Sequence, residues 1–153
     1  MSTFERKRER FRITTDVEEM DLDAVHAYLT RSYWAEGISK NLVARSIEGS
    51  LCFGLLDGSR QIGFARVVSD GATFAWLCDV YVLEEHQGRG LGTWMMRELM
   101  THPDLQGLRR WSLVTRDAHR LYEKFGFAAP ANPAGLMEIA RPGMYLRREG
   151  LRP

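Results

Sequence analysis

The chain has 153 residues, 44% hydrophobic and 27% charged, with a formal net charge of +1. That is one domain's worth of sequence, able to bury roughly two-thirds of its unfolded surface, and its near-neutral balance argues against bulk binding to nucleic acid or an anionic membrane. No apolar run approaches the ~18 residues that span a bilayer, and the first residues lack the apolar stretch of a secretory signal, so a cytoplasmic protein with Cys52 and Cys78 reduced is expected.

Residues 4–12 carry dense charge of both signs, because Glu5 and Glu9 interrupt the basic run. Residues 1–9 therefore read as a solvated arm leading into a first strand over 11–15. Asp21 or Asp23 can cap a helix with Leu22, Val25 and Leu29 on one face, running on until Gly37 breaks it. Ser39 can cap a second helix, with Leu42, Val43 and Ile47 inward, stopped at Gly49-Ser50. From residue 51 the period changes. Residues 51–56, 61–68 and 73–82 are apolar runs separated by Asp57-Gly58 and Asp70-Gly71, which predicts a three-stranded antiparallel meander. A helix with Leu91, Trp94, Met95 and Leu99 at helical spacing follows and ends near Pro103. A strand over 110–115 comes next, then a helix from Asp117 to Gly126 with Ala118, Leu121, Tyr122 and Phe125 on one stripe. Residues 136–140 and 144–146 can add edge strands, and their apolar character could serve a homodimer. The predicted class is a single α/β domain with a mixed sheet, in the order β-α-α-β-β-β-α-β-α-β.

The chemistry concentrates between the third run of the meander and its helix. Gly88, Gly90 and Gly92 fall within five residues of a strand-to-helix turn. Glycines there let a ligand approach the backbone, and the unpaired N–H groups of the first helical turn favour a phosphate or pyrophosphate. No Lys-Ser/Thr follows Gly92, which excludes a Walker A loop, and Met95 occupies the third glycine position of a dinucleotide fingerprint. A plain packing turn is the alternative.

Gln87-x-x-Gly90-x-Gly92 resembles the acyl-CoA pyrophosphate loop of the GNAT N-acetyltransferase superfamily, whose pattern is Arg/Gln-x-x-Gly-x-Gly/Ala. Some 30 residues on, Ala118-His119-Arg120-Leu121-Tyr122-Glu123-Lys124-Phe125-Gly126-Phe127 resembles the same family's Ala-x-x-Leu-Tyr-x-x-x-Gly-Phe segment. The resemblance implies a mostly antiparallel sheet splayed at the cofactor site. It implies acetyl-CoA as co-substrate, held by the backbone of Gln87, Gly88, Arg89, Gly90, Leu91, Gly92 and Thr93, with Arg89 near the phosphates. Val80, Tyr81 and Val82 would lie along the pantetheine arm. Tyr122 would be the general acid that protonates the leaving thiolate; the alternative is a core aromatic on the helix stripe.

The sequence also departs from the family. Thr115 stands where many relatives contact CoA through an Asn, and a hydroxyl has one donor where the amide has two. Trp76 and Arg110 occupy the positions at which two groups of relatives keep a Glu base. Asp79, a lone carboxylate in an apolar strand, is the candidate base; the alternatives are an ion pair with Arg66 or deprotonation through water. In the family the region between the first two helices walls the acceptor site, which assigns Tyr33, Trp34 and Glu36 to substrate binding, or the two aromatics merely to anchoring a loop. His86 and His119 lack metal-ligand spacing and read as surface histidines, so no metal is expected. The acceptor would be an amine of a small molecule or peptide. A non-catalytic acyl-CoA-binding module on the same fold is the alternative function.

Overall fold

In the computed structural model, which describes residues 3–146, six strands form one sheet in the order β1-β2-β3-β4-β5-β6. They are β1 (Glu5–Arg8), β2 (Phe11–Thr14), β3 (Leu51–Asp57), β4 (Arg60–Ser69), β5 (Phe74–Val82) and β6 (Arg110–Ser112). The helices are α1 (Leu22–Leu29), α2 (Lys40–Glu48), α3 (Leu91–Leu99) and α4 (His119–Glu123). None among the described residues is long and apolar enough to cross a membrane.

Local chemistry explains most boundaries. Asp21 Oδ1 accepts from Ala24 N at 3.1 Å and Ser39 Oγ from Leu42 N at 3.2 Å, capping α1 and α2. The β3–β4 hairpin turns at Gly58, with φ 61° and Asp57 opposite Arg60. The Asp70 carboxylate accepts from Ala72 N, Thr73 N and the Thr73 hydroxyl, which builds the β4–β5 turn and holds its proton affinity well below the carboxylate norm.

The sheet is covered on both faces. α3 and α4 pack on one side, where Ile13, Phe53, Leu55, Ile62 and Val67 meet Met95, Met96, Leu99 and Tyr122. α1 and α2 cover the other, around Val25, Leu29, Val43, Cys52, Phe64 and Tyr81.

Three expectations are corrected. Glu5–Arg8 is not a solvated arm but strand β1, paired antiparallel with β2 from Glu5↔Thr14 to Arg8↔Phe11. Its side chains stay exposed or half-buried because it is the sheet's charged edge, while Phe4 just before it is buried against Phe53. Next, α1 ends at Leu29, and residues 30–37 form successive turns in which Ser32 Oγ bonds Leu29 O and Ala35 N. Finally, residues 136–140 form no strand, and Met144–Leu146 is a single 3₁₀ turn. Met137 and Ile139 are 95% and 85% exposed there, so an apolar pattern without a paired partner made no sheet. The element order is accordingly β-β-α-α-β-β-β-α-β-α among the described residues.

Two irregularities shape the sheet where it matters. Opposite Phe64–Arg66 of β4, the register of β5 jumps from Tyr81 to Cys78, a bulge that includes Asp79 at φ 56°. The extra residue reverses the alternation of the strand. Ala75 and Leu77 face α3 and α4 before the bulge, Val80 and Val82 after it, while Tyr81 packs toward α1 and α2. The other irregularity is that β5 and β6, the only parallel pair among the described residues, stay in register over Phe74↔Arg110, Ala75↔Trp111 and Trp76↔Ser112 alone. Beyond Trp76 the two strands part.

Candidate active site

Beyond Trp76, between the C-terminal half of β5, the glycine loop and the start of α4, lies a cleft of about 810 Å³. Past Val82 the chain makes a 3₁₀ turn (Glu84–His86), then enters the left-handed region at Gly88 (φ 81°) and Gly90 (φ 75°). Gly90 caps α3 without a side chain to offer, and the first helical bond is Trp94 N to Gly90 O at 2.9 Å. The N–H groups of Leu91, Gly92 and Thr93 therefore have no acceptor within the helix. A Cβ at Gly88 or Gly90 would meet nothing within 4 Å. The space beside the loop is open, and the glycines are required by the sign of φ. Gln87 Nε2 donates to Val82 O at 2.8 Å, fastening the loop to the end of β5.

Val80, Tyr81, Val82, Gln87, Gly88, Gly90, Leu91, Gly92 and Thr93 line this cleft, together with Tyr33 and Trp34 from the α1–α2 connection and Tyr122 from α4. Tyr122 is 8% exposed. Burial, with smaller contributions from Tyr33 and Asp117, pushes its phenol up to about 12, so it keeps its proton across the neutral range. Tyr81 stacks on Tyr28 with ring centroids 3.9 Å apart, and burial raises its phenol as well.

Four residues singled out from sequence fall outside the lining. Asp79 is held on the face toward α1 and α2: its Oδ2 accepts from Arg66 Nε at 2.7 Å and its Oδ1 from Trp34 Nε1 at 2.8 Å. Arg66 reaches on to Ser50 Oγ at 2.9 Å. Thr115 Oγ1 accepts from Ala118 N at 3.0 Å and so helps start α4. Glu36 lies exposed on its loop. Arg89 points to the far side of α3, into a separate cavity of about 270 Å³.

Other lining residues carry no motif in the sequence. Arg116 and Asp117 flank the Tyr segment, and Asp117 is the one carboxylate among the described residues lining the cleft. Tyr33 Oη accepts from Arg116 N at 3.0 Å while the Arg116 guanidinium sits 3.8 Å from the Tyr33 ring centroid, a clasp between the α1–α2 and β6–α4 connections. Arg31 and Glu84 form a bidentate pair at 2.7 and 2.8 Å beside it, which lowers the Glu84 carboxyl to about 2. His86 is not the surface histidine expected. It is 8% exposed, lines the cleft, and neither ring nitrogen has a partner among the described residues. No periodic signal marks it, since it ends a 3₁₀ turn; His119 is exposed.

Neither cysteine lines the cleft. Burial pushes the Cys52 thiol up to about 12 and raises that of Cys78, so neither is an available thiolate. Among the described residues no group of three or more His, Cys, Asp or Glu could hold a metal ion.

Comparison with known proteins gives the family and the fold. Residues 48–129, more than half of the chain, match the family model described as an acetyltransferase (GNAT) domain. A candidate acetyltransferase of Gibberella zeae is 34% identical over 135 residues, covering 73% of this chain and 75% of its own. A GNAT-family structure from Xanthomonas campestris pv. campestris is 48% identical, with a TM-score of 0.88 over 91% of this chain and 99% of that one. At 15% identity, a predicted acetyltransferase of Clostridium acetobutylicum, whose crystal structure contains acetyl-CoA, shares the fold with a TM-score of 0.61 over 85% of this chain and 94% of that one. The chain belongs to the GNAT acetyltransferase family.

Proposed function

We propose that this protein transfers an acetyl group from acetyl-CoA to a primary amine of a small molecule or peptide, in one step within a ternary complex. The observation that carries the reading is that one cleft holds both the open backbone amides of Leu91 to Thr93 and the protonated phenol of Tyr122. The residues present suit the cofactor: glycines that leave space for an anion, a buried His86 with unfilled ring nitrogens, and apolar Val80 and Val82 for an acyl arm.

Bound acetyl-CoA supplies the acetyl group activated as a thioester. The amides of Leu91, Gly92 and Thr93 bind the pyrophosphate, and Gln87 keeps their loop against β5. Tyr122 Oη donates to the sulfur as negative charge develops there. A phenol near 12 gives up its proton reluctantly to a thiolate whose conjugate acid has an ordinary value of about 8.5. Its main contribution is therefore as a donor preorganised in a dry wall of the cleft. Tyr33 and Trp34 form the acceptor wall, and Asp117 offers the carboxylate that draws an ammonium toward it. With both oxygens taken up, Asp79 acts as a positioning residue for Trp34 and not as the base, so the ammonium loses its proton to water before the neutral amine attacks the thioester carbonyl and the thiolate leaves. Direct transfer fits the two thiols, which are raised and lie away from the cleft.

The test is thiol release from acetyl-CoA against a panel of primary amines. Amine-dependent release with matching acetylated product is expected. Tight CoA binding with no release across the panel would replace this reading by a non-catalytic acyl-CoA-binding module.

A further inference from the structure

We propose that Arg8 and Arg10 of the β1–β2 hairpin, with Arg89 of the glycine loop, form a phosphomonoester subsite that takes the 3′-phosphate of the coenzyme A adenosine. This rests on reading the neighbouring cleft as a coenzyme A site.

Strand β1 runs alongside α3, and its arginines mark the descent: Arg6 Nε lies 3.2 Å from Glu98 Oε2, and the Arg8 guanidinium 5.8 Å from the Trp94 ring centroid. Two residues of strand advance about 6.6 Å and four of helix about 6 Å. Arg6 and Arg8 therefore keep pace with the turns of α3, and Arg10 follows in the two-residue turn between Arg8 and Phe11. There Arg8, Glu9, Arg10, Phe11, Arg89 and Leu91 enclose a cavity of about 270 Å³. Leu91 lines this cavity and the large cleft alike, so the two meet at the N-terminus of α3. A single ribose separates the pyrophosphate of coenzyme A from its 3′-phosphate, which matches a second phosphate site around that corner.

The charge is also suited. Arg10 Nε pairs with Asp57 Oδ1 at 3.1 Å, and the Glu9 carboxylate belongs to the same wall. Among the described residues neither Arg8 nor Arg89 has an ion-pair partner. Arginines that share one cavity repel one another until an anion joins them, and their planar forks match a phosphate's oxygens. Arginines that only kept an edge strand soluble would have no need to line a cavity shared with the glycine loop.

The experiment compares the affinities of coenzyme A and 3′-dephospho-coenzyme A by calorimetry, for wild type and for an Arg8→Gln/Arg10→Gln variant. Wild type should bind coenzyme A about tenfold more tightly, a preference that shrinks as salt is raised. The variant should bind both ligands with the affinity of wild type for the dephospho form, which also reports that its fold and pyrophosphate loop are intact. Equal wild-type affinities, a preference that survives in the variant, or a loss shared by both ligands would each overturn the subsite. If wild type bound neither ligand, the cofactor reading of the cleft itself would fall, and the subsite with it.

Discussion

The Trp34 indole donates through Nε1 to Asp79 Oδ1 at 2.8 Å, across 45 residues of sequence, while Arg66 holds the second oxygen of the same carboxylate. Asp79 can make this link because the bulge sets it at φ 56°, on the same face as Cys78 and Tyr81. The ion pair is largely shielded, with the side chains of Arg66 and Asp79 18% and 10% exposed.

Replacing Asp79 by Ala leaves Arg66 without its counter-charge, and should destabilise the protein by about 3 kcal/mol in a denaturant titration, the low end for a broken buried pair. Asp79→Asn keeps an acceptor for Trp34 and tolerates the left-handed backbone. It should raise KM for the amine while kcat stays within about tenfold, since no proton passes through this group. A kcat lowered by about 100-fold or more at unchanged KM would return Asp79 to the role of general base.

Tyr122→Phe removes a hydroxyl and leaves the ring that packs against Phe127. Coenzyme A affinity should be retained while kcat drops by about 100-fold, the lower range for a positioned proton donor. The pH dependence has a definite sign. Burial raises this phenol from 10 to about 12, so the competent neutral form persists past the pH at which an unperturbed tyrosine ionises. With a weakly basic amine as acceptor, kcat/KM should stay level to about pH 10 and fall only above it. A fall centred at or below that value would show that another group limits the rate.

Gly90→Ala places a Cβ at φ 75°, at a strain of about 1–2 kcal/mol. Open space surrounds the new methyl, so the cost should appear as a modest loss of Tm. Gly90→Glu adds a carboxylate in front of the free amides and should abolish coenzyme A binding while the protein still melts cooperatively. Unchanged affinity in a calorimeter would remove the loop from the cofactor site.

Features set by near neighbours in the chain are legible from the residues alone. The caps at Asp21 and Ser39, the turns at Asp57-Gly58 and Asp70-Gly71, and the glycine loop depend on side chains within a few residues. Features set by distant partners are not. The charges on Glu5 to Arg8 hide an edge strand because its pairing with β2 is made by backbone groups. Residues 136–140 carry the apolar pattern of a strand and form none, since composition does not supply a free edge to pair with. The site divides the same way. Tyr122 and the loop can be located by motif, whereas His86, Arg116 and Asp117 enter only through the folding of turns around the cleft. Asp79 is visible as an odd carboxylate, but its two partners lie 45 and 13 residues away.

The surplus residue in β5 has a consequence for how this chain tolerates change. Strand alternation makes every position downstream of residue 79 depend on a count of one, much as codons depend on a reading frame. Deleting Val80 would turn Tyr81 from its stack with Tyr28 toward α3 and α4 and press Val82 toward α1, rewriting both faces of the strand at once. Substitutions here act on one side chain each, whereas a deletion exchanges the two faces of the strand.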